Sequence, residues 1–272
     1  MAIDHVLKLY SETIQSPYLH YGFWDDPVSI NTDLLSIEDI VQAQGRYIEH
    51  LASFIPEDVN KIIDVGCGVG GNAAYLKEKG YEIEVLSPDV YQEQVIKEKF
   101  NGEMHFYKTK FEDFKSQNIY DLILESESAC YIKINEGFAS AKKALKDGGY
   151  LLAADYFVYN SDNKSPHLKS SHKMDEYLTK AESAGFTLLK EYDQTDNTMP
   201  TLDAALNFIN RFIFPTAEYL QYSIQRKNPK IYRLLKSLLE KKISKKMDQL
   251  DLMSSEEFRK YRKYMIYLFQ KA

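Results

Sequence analysis

The chain has 272 residues, a net charge of −6 and two cysteines, with 44% hydrophobic and 27% charged residues. That suits one large domain, or a domain with an insertion, and it excludes a fold held by disulfides; Cys67 and Cys130 are also too few for a zinc site, so no metal is expected. A run of 18 apolar residues and a basic-then-apolar leader are both missing, which leaves a reducing cytoplasm as the expected setting.

Taken in chain order, residues 4–15 and 33–54 carry apolar side chains at three- and four-residue spacing and predict helices. The loop between them is aromatic-rich and broken by Pro17, Gly22 and Pro27. From residue 61 strands and helices alternate. Strands are expected at 61–65, 82–86, 104–107, 120–125, 150–158 and 186–192. Helices are expected at 70–79, from Ser87-Pro88 to about Phe100, at 135–146 and at 172–184, with glycines Gly80, Gly148-Gly149 and Gly185 at helix ends. Beyond residue 192 the pattern turns helical, at 202–225, 230–250 and 255–263, and residues 264–270 read as a closing strand. The alternation predicts a doubly wound α/β fold with a mostly parallel sheet.

Charge is unevenly spread. Residues 226–272 carry +9 and the remainder −15. A body that acidic is a poor partner for nucleic acid. The basic helices place Lys opposite an apolar stripe (Ile231, Leu234, Leu235, Leu238, Leu239), so docking onto the domain is the expected use, with a lipid surface or a second copy as the other candidate partners.

The sharpest motif is Ile62-Ile63-Asp64-Val65-Gly66-Cys67-Gly68-Val69-Gly70-Gly71, a strand running into glycines and then a helix. Gly66, Gly68 and Gly71 satisfy the dinucleotide pattern G-x-G-x-x-G. Gly66, Gly68 and Gly70 satisfy the shorter G-x-G-x-G. Asp64 favours the second, because a carboxylate there suits a cationic ligand group and disfavours a pyrophosphate. The second strand also ends Val85-Leu86-Ser87-Pro88, without the acidic residue a dinucleotide site wants there.

This loop resembles motif I of the class I S-adenosylmethionine-dependent methyltransferases. The resemblance extends through Phe111-Glu112-Asp113-Phe114, the strand Tyr120-Asp121-Leu122-Ile123-Leu124, the turn Lys146-Asp147-Gly148-Gly149 and the closing YMIYLFQKA. His20-Tyr21-Gly22-Phe23-Trp24-Asp25, Glu127-Ser128 and Ala184-Gly185-Phe186 with Pro200 are similar to segments of a small-molecule group within it: tocopherol, sterol and sarcosine/dimethylglycine methyltransferases and cyclopropane synthases. Tyr131 stands where that group often has histidine.

The resemblance implies a seven-stranded Rossmann-like sheet with an antiparallel last strand. A helical N-terminal cap (1–55), a core (56–192 and 264–272) and a helical insertion roofing the substrate pocket (193–263) are expected. It implies S-adenosyl-L-methionine as cofactor, held by Asp64, Gly66, Cys67, Gly68, Gly70, Ser87, Asp113 and Glu125, with Asp113 on the adenine amino group. Glu127, Tyr131, His20 and Tyr21 are the candidate catalytic residues. Trp24, Tyr156, Phe208, Phe212 and Tyr219 are further candidate pocket residues. The expected reaction is methyl transfer to the O, N or C atom of a small organic acceptor. The alternatives are a nicotinamide-dependent oxidoreductase and a non-catalytic binding module.

Overall fold

The computed structural model describes residues 5–159, 171–230, 232–233 and 254–272. Seven strands form one sheet: β1 (Lys61–Val65), β2 (Glu82–Leu86), β3 (Phe106–Tyr107), β4 (Tyr120–Ser126), β5 (Leu145–Val158), β6 (Phe186–Asp193) and β7 (Arg262–Lys271). Their order is β3-β2-β1-β4-β5-β7-β6. Neighbours from β3 to β5 are parallel, and β7 runs antiparallel to both β5 and β6. The strand order reverses between β1 and β4, the position at which open α/β sheets form a ligand crevice.

Helices accompany the sheet: α1 (His5–Ile14), α2 (Ile37–Ala52), α3 (Gly71–Glu78), α4 (Val90–Lys99), α5 (Ile134–Ala144), α6 (Met174–Ser183), α7 (Thr195–Phe208), α8 (Phe214–Lys227) and α9 (Ser255–Tyr261). Two cores lie on opposite faces of the sheet. Tyr47, Ile48, Leu51, Leu76, Ile96, Met199 and Phe258, from α2, α3, α4, α7 and α9, pack on one face with Ile62, Leu122 and Leu124. Phe138, Ala141, Tyr177 and Ala181, from α5 and α6, pack on the other with Ile63, Ile123 and Phe269. Each fully buried large apolar side chain contributes roughly 1.5–3 kcal/mol, so packing on these two faces, more than helix propensity, holds the layers together.

Several boundaries differ from the sequence expectation, each for a local reason. Helix α2 starts at Ile37 because Ser36 and Asp39 form a reciprocal capping box. Helix α4 starts after Asp89, not at Ser87-Pro88: the Asp89 carboxylate accepts from Gln92 N, and Ser87 Oγ accepts from Asp89 N. Strand β5 already begins at Leu145 and carries the Asp147-Gly148-Gly149 turn as an irregularity, the register passing from Tyr120↔Leu145 to Leu122↔Tyr150. Helix α7 starts at Thr195 and takes Pro200 inside it, where the sequence pattern places the helix start at 202. A π-turn, Ile209–Ile213, then divides α7 from α8. The predicted 230–250 helix, with its apolar stripe, lies outside the described residues apart from 230 and 232–233. No helix among the described residues is long and apolar enough to cross a membrane.

Helix α7 is stitched to the N-terminal loop. Trp24 N donates to Asn197 O at 2.9 Å and Asn197 Nδ2 donates to Trp24 O at 2.9 Å. Thr201 Oγ1 accepts from both Gly22 N and Trp24 Nε1. Trp24 is therefore a buried clamp between two segments rather than a pocket residue.

Candidate active site

The C-terminal ends of β1, β2 and β4 open on a cavity of about 710 Å³, lined by residues 17–20, 65–69, 71–72, 86–89, 92, 110–112, 126–128 and 131–132. That volume lies within the usual range for small-ligand sites. Three carboxylates line it, Asp89, Glu112 and Glu127, against one lysine, Lys110.

The glycine loop forms its floor. Gly66, Gly68 and Gly70 all have positive φ. A Cβ at Gly66 would collide with Ser128 Cβ, so the loop packs directly against the segment after β4. Among the described residues the amides of Gly68 and Val69 donate to no backbone acceptor. Asp64 lies beneath the loop, fully buried, and its Oδ2 has no hydrogen-bond partner. Burial pushes its carboxyl up to about 7. Free amides at the cavity suit a ligand carboxylate, and the unpaired Asp64 carboxylate, which lies beneath the loop and does not itself line the cavity, favours a cationic group above it. The residues present therefore fit the expected cofactor.

Gly66, Cys67, Gly68 and Ser87 line the cavity, and Gly70 caps α3 beside it. Asp113 does not line it. The 3-10 turn Phe111–Asp113 turns each residue by a third of a circle, leaving Asp113 exposed and Glu112 on the cavity side. Asp89, three residues past β2, falls inside the helix that the sequence pattern predicts from Ser87-Pro88. It stands at the cavity as the N-cap of α4, and the signal for it was the Asx cap before Gln92.

Glu125 also lies elsewhere. Side chains alternate along β4, so Glu125 shares the α5–α6 face with Ile123, next to Tyr177. Burial, with the nearby Asp155 carboxylate, pushes it up to about 8. The sign for stability follows. Between pH 4.5 and 8 the unfolded chain has released this proton and the folded chain has kept it, so the group lowers stability by up to ~1.4 kcal/mol for each unit of rising pH. Glu125→Gln, which mimics the neutral acid, should match the wild type near pH 5 and exceed it increasingly towards pH 8. Thermal melts across that range check this; a constant offset would contradict it.

Glu127 is the opposite case. Alternation would put it on the Glu125 face, but its φ of +51° turns it back to the cavity. Such backbone is uncommon outside glycine and clusters at functional sites. Its N–H bonds Ala154 O at 2.8 Å. Its Oε1 accepts from Tyr21 N at 2.7 Å and from Tyr264 Oη at 2.6 Å, and Oε2 has no donor among the described residues. Burial pushes this carboxyl up to about 7, which the two hydrogen bonds partly offset.

His20 lines the cavity and is buried, with Nδ1 2.8 Å from Tyr21 O and Nε2 2.9 Å from Asn72 Oδ1. Burial draws it down to about 4, so at pH 7 the ring is neutral with a single N–H to share between these two oxygens, and its contacts tie the loop to α3. Tyr21 acts through its backbone, and its ring packs 5.8 Å from that of Tyr264. Tyr131 is at the rim, 78% exposed. The remaining pocket candidates stay out of the cavity: Tyr156 lies under Arg262, and Phe208, Phe212 and Tyr219 are exposed on α7, the π-turn and α8. Residues 17–20 line the cavity from the N-terminal loop, with Leu19 against Gly68 and Pro17 O against Gly71. Tyr264 and Tyr47, both fully buried and bonded towards Glu127, carried no sequence signal beyond their apolar neighbours.

A family model described as a methyltransferase domain matches residues 41–192. The chain is 26% identical over 208 residues to methyltransferase GfsG of Streptomyces halstedii, covering 69% of this chain and 72% of that protein. It also matches plant and fungal tocopherol, sterol and phosphoethanolamine methyltransferases, spanning less than half the length of each. In fold it is similar to a Galdieria sulphuraria protein described as a sarcosine dimethylglycine methyltransferase, with a TM-score of 0.74, 18% identity and 99% of both chains covered. It is similar, too, to geranyl diphosphate C-methyltransferase from Streptomyces coelicolor A3(2), solved with Mg2+, geranyl-S-thiolodiphosphate and S-adenosyl-L-homocysteine, with a TM-score of 0.69, 13% identity, and 94% of this chain and 88% of that one covered.

Proposed function

We propose that this chain, which belongs to the methyltransferase-domain family and uses S-adenosyl-L-methionine as its cofactor, methylates a small neutral or amine acceptor whose reacting O–H or N–H is deprotonated by Glu127. Family membership also decides between the two readings of the glycine loop, against a nicotinamide cofactor.

The observation that carries this reading is Glu127. A carboxylate in strained backbone faces the cavity with one oxygen held by two donors and the other open. A base near its own pKa at neutral pH is the efficient kind. The lining charge supports the acceptor class. Three carboxylates against one lysine repel a phosphate or carboxylate acceptor and admit a neutral or cationic one.

The bound cofactor supplies an electrophilic methyl on sulfur. Asp64, from beneath the glycine loop, and the loop amides would hold the methionyl end. Ser87 and Asp89 would face the ribose hydroxyls, and Phe111 with Glu112 would flank the adenine. The His20–Asn72 contact ties residues 17–20 to α3 beside the glycine loop. Glu127 takes the acceptor proton on Oε2, and alignment of the acceptor supplies much of the remaining rate.

Calorimetric titration with S-adenosylmethionine, S-adenosylhomocysteine and NAD is the first test, with micromolar binding expected for the two sulfur nucleosides and none for NAD. Transfer of labelled methyl is then measured over a panel of phenols, alcohols, primary and tertiary amines, phosphates and carboxylates. Turnover is expected with protonated neutral and amine acceptors. Turnover confined to acceptors without a proton on the reacting atom would remove the base from the mechanism.

A further inference from the structure

We propose that Tyr264 and Tyr47 are positioning residues for Glu127: a line of hydroxyls from Ser126 through Tyr47 and Tyr264 ends on Glu127 Oε1 and keeps that carboxylate charged, with Oε2 aimed at the acceptor. This rests on the reading of Glu127 as the base.

The direction of the line follows from counting protons. Tyr264 Oη lies 2.6 Å from Glu127 Oε1, and a carboxylate only accepts, so Tyr264 donates its one proton there. Tyr47 Oη lies 2.9 Å from Tyr264 Oη and must donate to it. Ser126 Oγ, 3.3 Å from Tyr47 Oη, then donates to Tyr47. Three O–H groups thus point the same way, towards one carboxylate, and each bond polarises the next. They come from three separate elements, β4, α2 and β7, and the tyrosines sit within an otherwise apolar core. Apolar side chains would fill that core, and buried hydroxyls cost free energy unless bonded, so the line has a use beyond packing.

Other groups also face Glu127. Asp155 from β5 opposes its charge, and Cys130 and Tyr156 lie within electrostatic reach. Tyr21 contributes its backbone N–H. His20, stacked 4.1 Å from the Tyr47 ring, is neutral at pH 7. Against an opposing carboxylate and full burial, hydrogen bonds favour the ionised form of Glu127, and the hydroxyl line supplies one of its two. In the step it serves, the acceptor's heteroatom–hydrogen bond breaks, the proton goes to Oε2, and the electron pair stays on the heteroatom.

The titration of Glu127 can be followed without an acceptor. Infrared difference spectra of protein carrying labelled glutamate are recorded from about pH 5 to 9, and Glu127→Gln identifies the Glu127 carboxyl band. The wild-type midpoint is expected near 7. Tyr264→Phe should raise it by about one pH unit, the scale of one lost hydrogen bond to a charged group, and Tyr47→Phe should raise it by less. The affinity for S-adenosylmethionine should stay within about twofold in both. Midpoints unmoved in either folded variant would overturn the proposal, and if Tyr264→Phe does not fold, Tyr47→Phe decides alone. The underlying reading fails separately: Glu127→Gln that transfers methyl at the wild-type rate removes the base, whatever the infrared midpoints show.

Discussion

Glu127→Gln is expected to lower kcat by about 10²–10⁴ while leaving the affinity for S-adenosylmethionine within about twofold. The amide has the shape of the carboxylate, and its oxygen still accepts from Tyr21 N and Tyr264 Oη, so the left-handed turn at residue 127 keeps its ties. What the variant loses is the ability to take a proton. The pH dependence carries the same signature. The active form is the deprotonated one, and with the carboxyl pushed up to about 7 the wild-type rate should fall as pH drops through 7 and level off above it. The variant's residual rate should lack that limb. Steady-state rates across pH on the best acceptor of the panel, with calorimetry for the cofactor, make the comparison. An equal limb in both proteins would assign the titration to another group.

Gly71→Ala should weaken S-adenosylmethionine binding by tenfold or more, about 1.4 kcal/mol, and lower stability by about 1–3 kcal/mol. Gly71 is the first residue of α3, and a Cβ there would collide with Pro17 O and Tyr18 Cδ1. Pro17 O is backbone and cannot swing aside. Its segment is pinned next door, where Ser16 Oγ bonds the buried Gln44 and accepts from Tyr18 N. The new methyl therefore has to displace Pro17 and Tyr18, which line the cavity. Gly45→Ala in α2, where a Cβ meets nothing within 4 Å, is the control and should bind normally. Calorimetry and thermal melts on the pair decide it. Unchanged affinity in Gly71→Ala would show that residues 17–20 contribute nothing to holding the cofactor.

The sheet was legible in the sequence because its signals are local: short apolar runs ending in glycine, each followed by a helical period. The glycine loop was legible for the same reason. The site was less so, because it depends on rotations that a pattern of residue types does not record. Asp113 and Glu112 exchange places through a single step of a 3-10 turn. Glu125 follows strand alternation away from the cavity, yet Glu127, two residues on, breaks that alternation through one left-handed residue. The roof was expected from the aromatic insertion, but Phe208, Phe212 and Tyr219 carry no mark of the direction they face. Tyr47 and Tyr264, 217 residues apart, meet only in three dimensions.

The position of β7 has a consequence for how the protein is made. It fills the gap between β5 and β6 but follows β6 by about 70 residues in the chain. At about 5–20 residues per second, a ribosome releases β6 several seconds to more than ten seconds before its neighbour exists. During that interval β5 and β6 each present an unpaired edge, the kind of surface that recruits strands from other chains. The same delay keeps Tyr264 from Glu127 until the last residues are made. A chaperone shielding the open slot would act before β7 fills it.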